Sequence, residues 1–279
     1  MTSPDAVAAL LHRLDLIASG LEASGWALAL LGLGSVGAEL DRMDQFSDLD
    51  FFVVARDGQV GALLEDLSWL GDGLVQAFRN TPDGFKVLFE DGVYGEFAVF
   101  DEAALREASF VNARVVWLAP DAPRDLPLRR RPAATATARL DGAARTHHLG
   151  EALTNLLVGV RRFRRGERLS AWQFTQVYAL GHALALAADA TPPAPGWADA
   201  FGLERRFEAR YPGLAAHLGA CLPGLDGTPG AALGLLNLLE ELRLPEWAGA
   251  LPLAGQVRRE AGAALAGPAA LDARGRLPG

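Results

Sequence analysis

Three acidic side chains occur at spacings that could bind a divalent metal ion. Asp48 and Asp50 open an apolar run that ends at Val54, and residues i and i+2 of a β-strand point to the same face. Two carboxylates on one face repel each other unless a cation lies between them, and Mg²⁺ prefers such hard oxygen ligands. Glu96 is an acid inside a second apolar run, 94–100, where burial without a partner would be unfavourable. The pattern predicts Asp48, Asp50 and Glu96 as ligands of Mg²⁺.

A glycine-rich turn precedes these acids. Gly34 and Ser35 follow an apolar run, 26–33, which predicts a buried strand. Small residues at such a turn leave backbone N–H groups accessible, and the dipole of a short helix predicted over about 36–43 would favour an anion. We therefore predict that Gly34 and Ser35 bind the phosphates of a nucleotide.

The same glycines allow a second interpretation. Residues 32–37 match G-x-G-x-x-G, the pattern of a dinucleotide-binding turn. That fold requires a full helix, a second strand and then an acid at the end of that strand. Only residues 38–47 separate Gly37 from Asp48, and the acids precede the apolar run instead of following it. A nicotinamide-dependent oxidoreductase is therefore the weaker alternative.

Strands and helices, which must position these residues, alternate in the first half of the chain. Ser3-Pro4-Asp5 predicts a helix start, and Asp91-Gly92 predicts a type I′ hairpin turn. The predicted strands are 26–33, 48–54, 85–90, 93–100 and 114–118, with a helix over 57–70. The stretch 119–134 is rich in proline and charge, which indicates a linker.

The second half of the chain predicts helices throughout. Leu149, Leu153, Leu156, Val160 and Phe163 form a stripe at helical spacing. Further helices are predicted over about 170–190, 197–210, 213–222, 230–244 and 254–266, followed by a frayed tail.

Composition narrows the function classes. The net charge of −8 argues against a general nucleic-acid-binding protein, which would carry a basic surface. One cysteine, Cys221, excludes a disulfide scaffold and a multi-cysteine zinc site. The sequence has neither an apolar run of membrane-span length nor a secretory signal at its start. We therefore expect a cytoplasmic protein with no membrane partner and no nucleic-acid partner.

The order of these motifs resembles the nucleotidyltransferase superfamily that includes DNA polymerase β. The shared pattern is Gly34-Ser35, then Asp48-Leu49-Asp50 opening a strand, then the third acid in Gly95-Glu96-Phe97. The resemblance is closest to the antibiotic nucleotidyltransferases, and among them to the larger lincosamide enzymes. That narrower likeness lies in Gln45–Phe51, in the hairpin that ends at Gly95-Glu96-Phe97, and in the helix 153–163 followed by Arg165-Gly166-Glu167.

One feature departs from that family. In the antibiotic enzymes a basic residue and a glycine come soon after Gly-Ser, whereas this chain continues with VGAELDR over 36–42. The departure puts the phosphate contacts of this loop in question.

The resemblance implies a fold, an activity and a set of residue roles. The fold is an α/β (α+β) nucleotidyltransferase domain with a mixed sheet over 1–125, followed by an all-α helical bundle over 134–279. The activity is transfer of a nucleoside monophosphate, AMP from ATP, to a hydroxyl of a small molecule, a lincosamide or an aminoglycoside. Asp48 and Asp50 would bind Mg²⁺, Gly34 and Ser35 the phosphates, and Glu96 would act as metal ligand, as base, or as both. The resemblance also implies a homodimer.

Alternatives remain open from the sequence alone. The chain could be a non-catalytic or regulatory relative with an antitoxin-like, protein-binding role. Glu96 could be a surface acid that pairs with an arginine or with Lys86. His147 and His148 have no histidine or acidic partner at metal-ligand spacing, which predicts a position on a helix surface.

Overall fold

The chain divides into two compact units, residues 1–134 and 135–279. The computed structural model describes residues 4–108, 110, 112–127, 139–195 and 202–267. The first unit combines a sheet with helices, and the described part of the second is helical. The predicted fold class, a mixed-sheet α/β half followed by an all-helical half, is therefore confirmed.

A six-stranded mixed sheet forms the frame of the first unit. Its spatial order is β3-β4-β5-β2-β1-β6, in which β2 and β5 are parallel and every other neighbouring pair is antiparallel. The strands are β1 Ala27–Gly32, β2 Leu49–Ala55, β3 Leu74–Thr81, β4 Gly84–Phe89, β5 Tyr94–Phe100 and β6 Arg114–Leu118. The predicted hairpin is confirmed, because β4 pairs with β5. Its predicted type I′ turn is wrong: that turn needs positive φ at both central residues, and Gly92 has φ +80° whereas Asp91 is not in the left-handed region.

Alternation along the strands decides which side chains face which core. Leu49, Phe51 and Val53 on β2 face one core, whereas Val54 belongs to a second core and Phe52 packs against it. Asp50 has the same parity as Phe52 and Val54, so it projects from the second face. This geometry fixes the side of the sheet on which the candidate site lies.

Among the described residues, three α-helices accompany the sheet. They are α1 Pro4–Ser24, α2 Val60–Glu65 and α3 Glu102–Glu107. The predicted start of α1 is confirmed, and Leu10, Leu14, Ile17 and Leu21 bury its inner stripe in the first core. The helix predicted over 57–70 is wrong in extent because α2 ends at Glu65. There the Asp66 carboxylate accepts the backbone N–H of Ser68 at 2.9 Å, a turn that competes with helical hydrogen bonding.

Two elements of the first unit, β3 and α3, have no sequence prediction. The strand β3 is exposed along most of its length, so its residues lack the alternation that marks a half-buried strand. The helix α3 has only six residues and is capped by Asp101, whose carboxylate accepts the Ala104 N–H at 2.8 Å. Both are too weakly patterned to be recognised from hydrophobic spacing.

The second unit is built on α4, Gly142–Arg164, whose predicted apolar stripe is buried from Leu149 to Val160. The predicted helix over 170–190 is present as α5, a π-helical stretch and α6 in direct succession. The region predicted as one helix over 213–222 contains two short helices. The helices are α5 Arg168–Trp172, the π-helical Gln173–Ala179, α6 Leu180–Ala190, α7 Phe207–Arg210, α8 Pro212–Ala215, α9 Leu218–Cys221, α10 Thr228–Glu241 and α11 Trp247–Ala266.

Parts of four predictions lie outside the described residues. These are the capping residue Ser3, the start of the helix predicted over 197–210, the second half of the linker, and the tail beyond 267. In its described part, the helix predicted over 197–210 is wrong in extent, because α7 begins only at Phe207. The last helix begins at Trp247, before the predicted 254. None of the described helices combines the length and apolar character that a membrane span requires.

Candidate active site

The pairing of β2 with β5 brings two of the three predicted acids together. In this parallel pair Asp50 stands opposite Glu96, which places their backbones about 4.8 Å apart across the sheet. Both project from the face that carries Phe52 and Phe100, whose rings lie 4.9 Å apart. The carboxylates of Asp50 and Glu96 are therefore neighbours on one partly exposed surface.

Asp48 lies one residue before β2, close to the turn that follows β1. Its carbonyl oxygen lies 3.5 Å from Ser35 Oγ, which donates to it. Within the described part of the chain, no hydrogen bond or ion pair engages the Asp48 carboxylate. Ser35 thus lies beside the backbone of Asp48.

Gly34 makes the closest approach of this turn to the acids. The backbone N–H of Leu33 donates to the Asp50 carbonyl at 2.7 Å. Gly34 has φ +53°, and a Cβ atom added there would lie 3.0 Å from Asp50 Oδ2. Glycine is therefore favoured both by the left-handed backbone and by the close approach of the Asp50 carboxylate.

The helix predicted over 36–43 is wrong. Two short 3₁₀ turns, Gly34–Val36 and Leu40–Arg42, stand in its place. Neither is long enough to develop the dipole of a full helix. Any phosphate binding by this turn would thus depend on local N–H and hydroxyl groups.

A buried carboxylate anchors this loop. Glu39 is only 3% exposed; it accepts the Asn112 side-chain amide at 2.8 Å and forms an ion pair with Arg42. The Ala38 N–H donates to the Asn112 carbonyl at 2.7 Å, and Arg114 Nε donates to the Val36 carbonyl at 3.1 Å. The basic residue of the loop, Arg42, is thus engaged by Glu39.

Both oxygens of Glu96 have partners. Lys86 Nζ lies 3.0 Å from Oε2, and Asn80 Nδ2 donates to Oε1 at 2.7 Å. The Glu96 carboxylate, and after it the Tyr94 hydroxyl, raises the pKa of the Lys86 ammonium group. The pairing of Glu96 with Lys86 that the sequence left open is therefore present in the structure.

The donor set of this site suits a divalent ion in part. In the described ranges, no three histidine, cysteine, aspartate or glutamate side chains are placed so that they could hold a metal ion. Asp48 and Asp50 nevertheless supply the all-oxygen donor set that Mg²⁺ prefers. Glu96 is adjacent, but Lys86 and Asn80 engage its carboxylate. The donor set thus fits an ion at the aspartate pair, while Lys86 and Asn80 hold Glu96.

The strand directions contradict the dinucleotide interpretation. A dinucleotide-binding fold needs β1 and the next strand to be parallel, with a helix between them. Here β1 and β2 are antiparallel, and only 3₁₀ turns connect them. The dinucleotide-binding interpretation of residues 32–37, on which the alternative of a nicotinamide-dependent oxidoreductase was based, is therefore wrong.

A histidine cluster lies in the second unit, although the sequence offers His147 and His148 no partner at metal-ligand spacing. His148 Nδ1 lies 2.9 Å from His182 Nδ1, and the His147 ring lies against both. Burial lowers the pKa of both His148 and His182; the charges of neighbouring histidines lower these values further, whereas Glu151 raises that of His182. The predicted surface position holds for His147, which is exposed, whereas His148 is half-buried against His182, 34 residues away on another helix.

Comparisons with known proteins give only remote likenesses. No protein-family model matches the sequence, and a search of curated proteins finds no match. Among solved structures, an aminoglycoside 6-adenyltransferase from Bacillus subtilis is similar at 12% identity and a TM-score of 0.38, over 91% of this chain and 97% of that one. A nucleotidyltransferase-like protein from Exiguobacterium sibiricum 255-15 is similar at 16% identity and a TM-score of 0.31, over 88% of this chain and 77% of that one. At TM-scores this low, neither likeness bears on the function.

Proposed function

We propose that this chain is a nucleotidyltransferase that moves AMP from ATP to a hydroxyl group of a small molecule. The observation that carries the proposal is the alignment of Asp50 with Glu96, directly beside the Gly34 turn. It supports a site with a negatively charged bed for metal ions, a turn for phosphates and an acid next to both. The motif order in the sequence supports the same conclusion.

Each residue then has a chemical task. Asp48 and Asp50 would bind Mg²⁺, which when bound neutralises phosphate charge and stabilises the attacking and leaving oxygens of an in-line displacement. Gly34 and Ser35 would hold the phosphates that leave. Glu96 would accept the proton of the attacking hydroxyl. The new bond joins that oxygen to the α-phosphorus, the bond from the α-phosphorus to its bridging oxygen breaks, and pyrophosphate departs.

The acceptor is the finer part of the proposal. The sequence resemblance favours a lincosamide, and the net charge of −8 makes a polycationic aminoglycoside the second choice. The same proposal includes a cytoplasmic homodimer. It also includes a metal site formed by the carboxylates of Asp48, Asp50 and Glu96.

The test is incubation with ATP, Mg²⁺ and a panel of lincosamides and aminoglycosides. We expect pyrophosphate release and a product heavier by one adenylyl group. Asp50→Asn should lower the rate at least about a hundredfold, because charge stabilisation by a bound metal contributes several kcal/mol to catalysis.

The matched control is Asp57→Asn, which removes one charge from an exposed residue just beyond β2. It should transfer AMP at the wild-type rate. Full activity of Asp50→Asn would contradict the assignment of that residue.

One observation favours a second candidate function. The Lys86–Glu96 ion pair would be permanent in a non-catalytic relative that binds a partner protein. Such a protein would give no adenylylated product with any acceptor of the panel, and nucleotide would leave the ion pair unchanged.

A further inference from the structure

Lys86 is chemically distinct within this chain. It is the only lysine among the 26 lysine and arginine residues, and it lies 3.0 Å from the third acid of the candidate site. An arginine at this position would bind a carboxylate through two parallel hydrogen bonds. A lysine presents a compact charge on a flexible stem, which suits a cation that changes partners.

The strand register places Lys86 in line with the acids. Lys86 stands opposite Glu96 in the β4–β5 pair, and Glu96 stands opposite Asp50 in the β5–β2 pair. The three side chains therefore share one face and follow one another across three strands. Beyond Asp50 lies the Gly34 turn. A Cβ atom added to Gly34 would lie 3.0 Å from Asp50 Oδ2.

The proposed phosphate loop does not supply an available cation of its own. Its basic residue, Arg42, forms an ion pair with the buried Glu39 carboxylate. A triphosphate carries several negative charges and is bound best where a cation can reach it. Lys86 is the cation that the register aligns with Asp50 and Glu96.

The Lys86–Glu96 pair is suited to exchange. Both side chains are 41% exposed, so water screens their attraction and the ion pair is weak. An arriving triphosphate offers the ammonium group more negative charge than one carboxylate does. The same exchange would free Glu96 Oε2, which Lys86 engages in the structure.

We propose that Lys86 is a nucleotide-dependent latch on Glu96. Its ammonium group pairs with Glu96 while no nucleotide is bound, and it moves to the phosphates of the bound nucleoside triphosphate, which frees Glu96 for the reaction. The inference rests on the proposed nucleotidyl transfer and adds a phosphate-binding residue to it.

The first test uses the wild-type chain and needs no turnover. Because Lys86 carries the only side-chain amine, acylation by an N-hydroxysuccinimide ester can be followed at this one position by peptide mass mapping. We expect a non-hydrolysable ATP analogue with Mg²⁺, at about ten times its Kd, to slow acylation of Lys86 about tenfold. Adenosine, which lacks phosphates, should give no protection.

The second test separates KM from kcat in the transfer assay. Lys86→Met should raise the KM for ATP about tenfold to a hundredfold, as expected for the loss of a charge-assisted hydrogen bond, with a smaller effect on kcat. Lys86→Arg keeps the charge and should restore most of the KM. The control Arg106→Met removes a similarly exposed cation from its pair with Glu102 and should leave both constants unchanged.

The outcomes separate this inference from the proposed function. Protection of Lys86 by the analogue in a chain that modifies no acceptor would support the exchange and overturn the transfer activity. Active transfer without protection, together with a wild-type KM in Lys86→Met, would overturn the latch and leave the activity standing.

Discussion

At the scale of single residues, Gly34 links the phosphate turn to the acids. Gly34→Ala should destabilise the fold by about 1 kcal/mol, because an alanine resists the left-handed backbone that φ +53° imposes. It should also reduce transfer activity about tenfold or more, because the new methyl group would lie 3.0 Å from Asp50 Oδ2 and small displacements of catalytic groups are costly. Urea unfolding and the pyrophosphate assay measure the two effects.

Gly58→Ala is the matched control for this prediction. Gly58 has φ +74°, and no atom lies within 4 Å of the Cβ position. It should therefore show the same loss of stability with no loss of activity. Equal activity in the two variants would remove the Gly34 turn from the site.

The sequence predicted the acids of the site better than it predicted their partners. Asp50 and Glu96 could be predicted because Asp50 opens one apolar strand and Glu96 interrupts another, and both apolar patterns are plain in the sequence. Asn80 could not be found this way, since it lies on β3, an exposed strand without alternation. Its position is also set by an irregularity in the β3–β4 register between Arg79 and Thr81, which no local pattern reveals.

At the scale of elements, local patterns indicated strands and helices but not contacts between distant ones. The alternation of β2 and β5 could be read from the sequence, whereas the edge strand β3 and the six-residue α3 could not. The loop after β1 was misjudged because its turns are held by Asn112 and Arg114, which are remote in sequence. The His148–His182 contact was missed for the same reason.

That histidine pair links α4 to α6 and makes stability depend on pH. Burial lowers the pKa of His148 and His182 in the folded chain, so the unfolded chain binds protons more readily. The free energy of unfolding should therefore be unaffected by the pair above the ordinary histidine pKa of about 6.5, and it should fall as pH decreases below that value. Urea unfolding at a series of pH values between about 5 and 8 measures this slope.

His182→Gln should make that slope shallower, because it removes one of the two imidazoles while an amide can still hydrogen-bond to His148. The groups that remain against the pair are His147, whose charge lowers both pKa values, and Glu151, which raises that of His182. His217→Gln, at an exposed histidine next to α9, is the control and should leave the slope unchanged. An unaltered slope in His182→Gln would show that the pair does not govern the effect.

At the scale of the whole molecule, the hydrophobic cores divide as the compact units do. The clusters around α1 and the sheet lie within residues 1–134, and those around α4 and α10 lie within 135–279. No residue is shared between the two sets among those that the structure describes. The predicted domain limits, 1–125 and 134–279, remain a prediction that separate fragments can test.

We expect the fragment 1–134 to fold when it is expressed alone, because each unit has its own core and each is within the usual size of a domain. Its urea transition should be cooperative, and its near-ultraviolet circular dichroism should show Phe51, Trp69 and Phe97 in the fixed packing seen in the sheet. The variant Leu30→Ala truncates a fully buried side chain and leaves a cavity in its place. It should destabilise the fragment by about 2–5 kcal/mol. The same variant of the full chain should lower the free energy of unfolding of the first unit by an equal amount. A fragment that binds hydrophobic dyes and unfolds without a transition would show that the first unit depends on residues beyond 134.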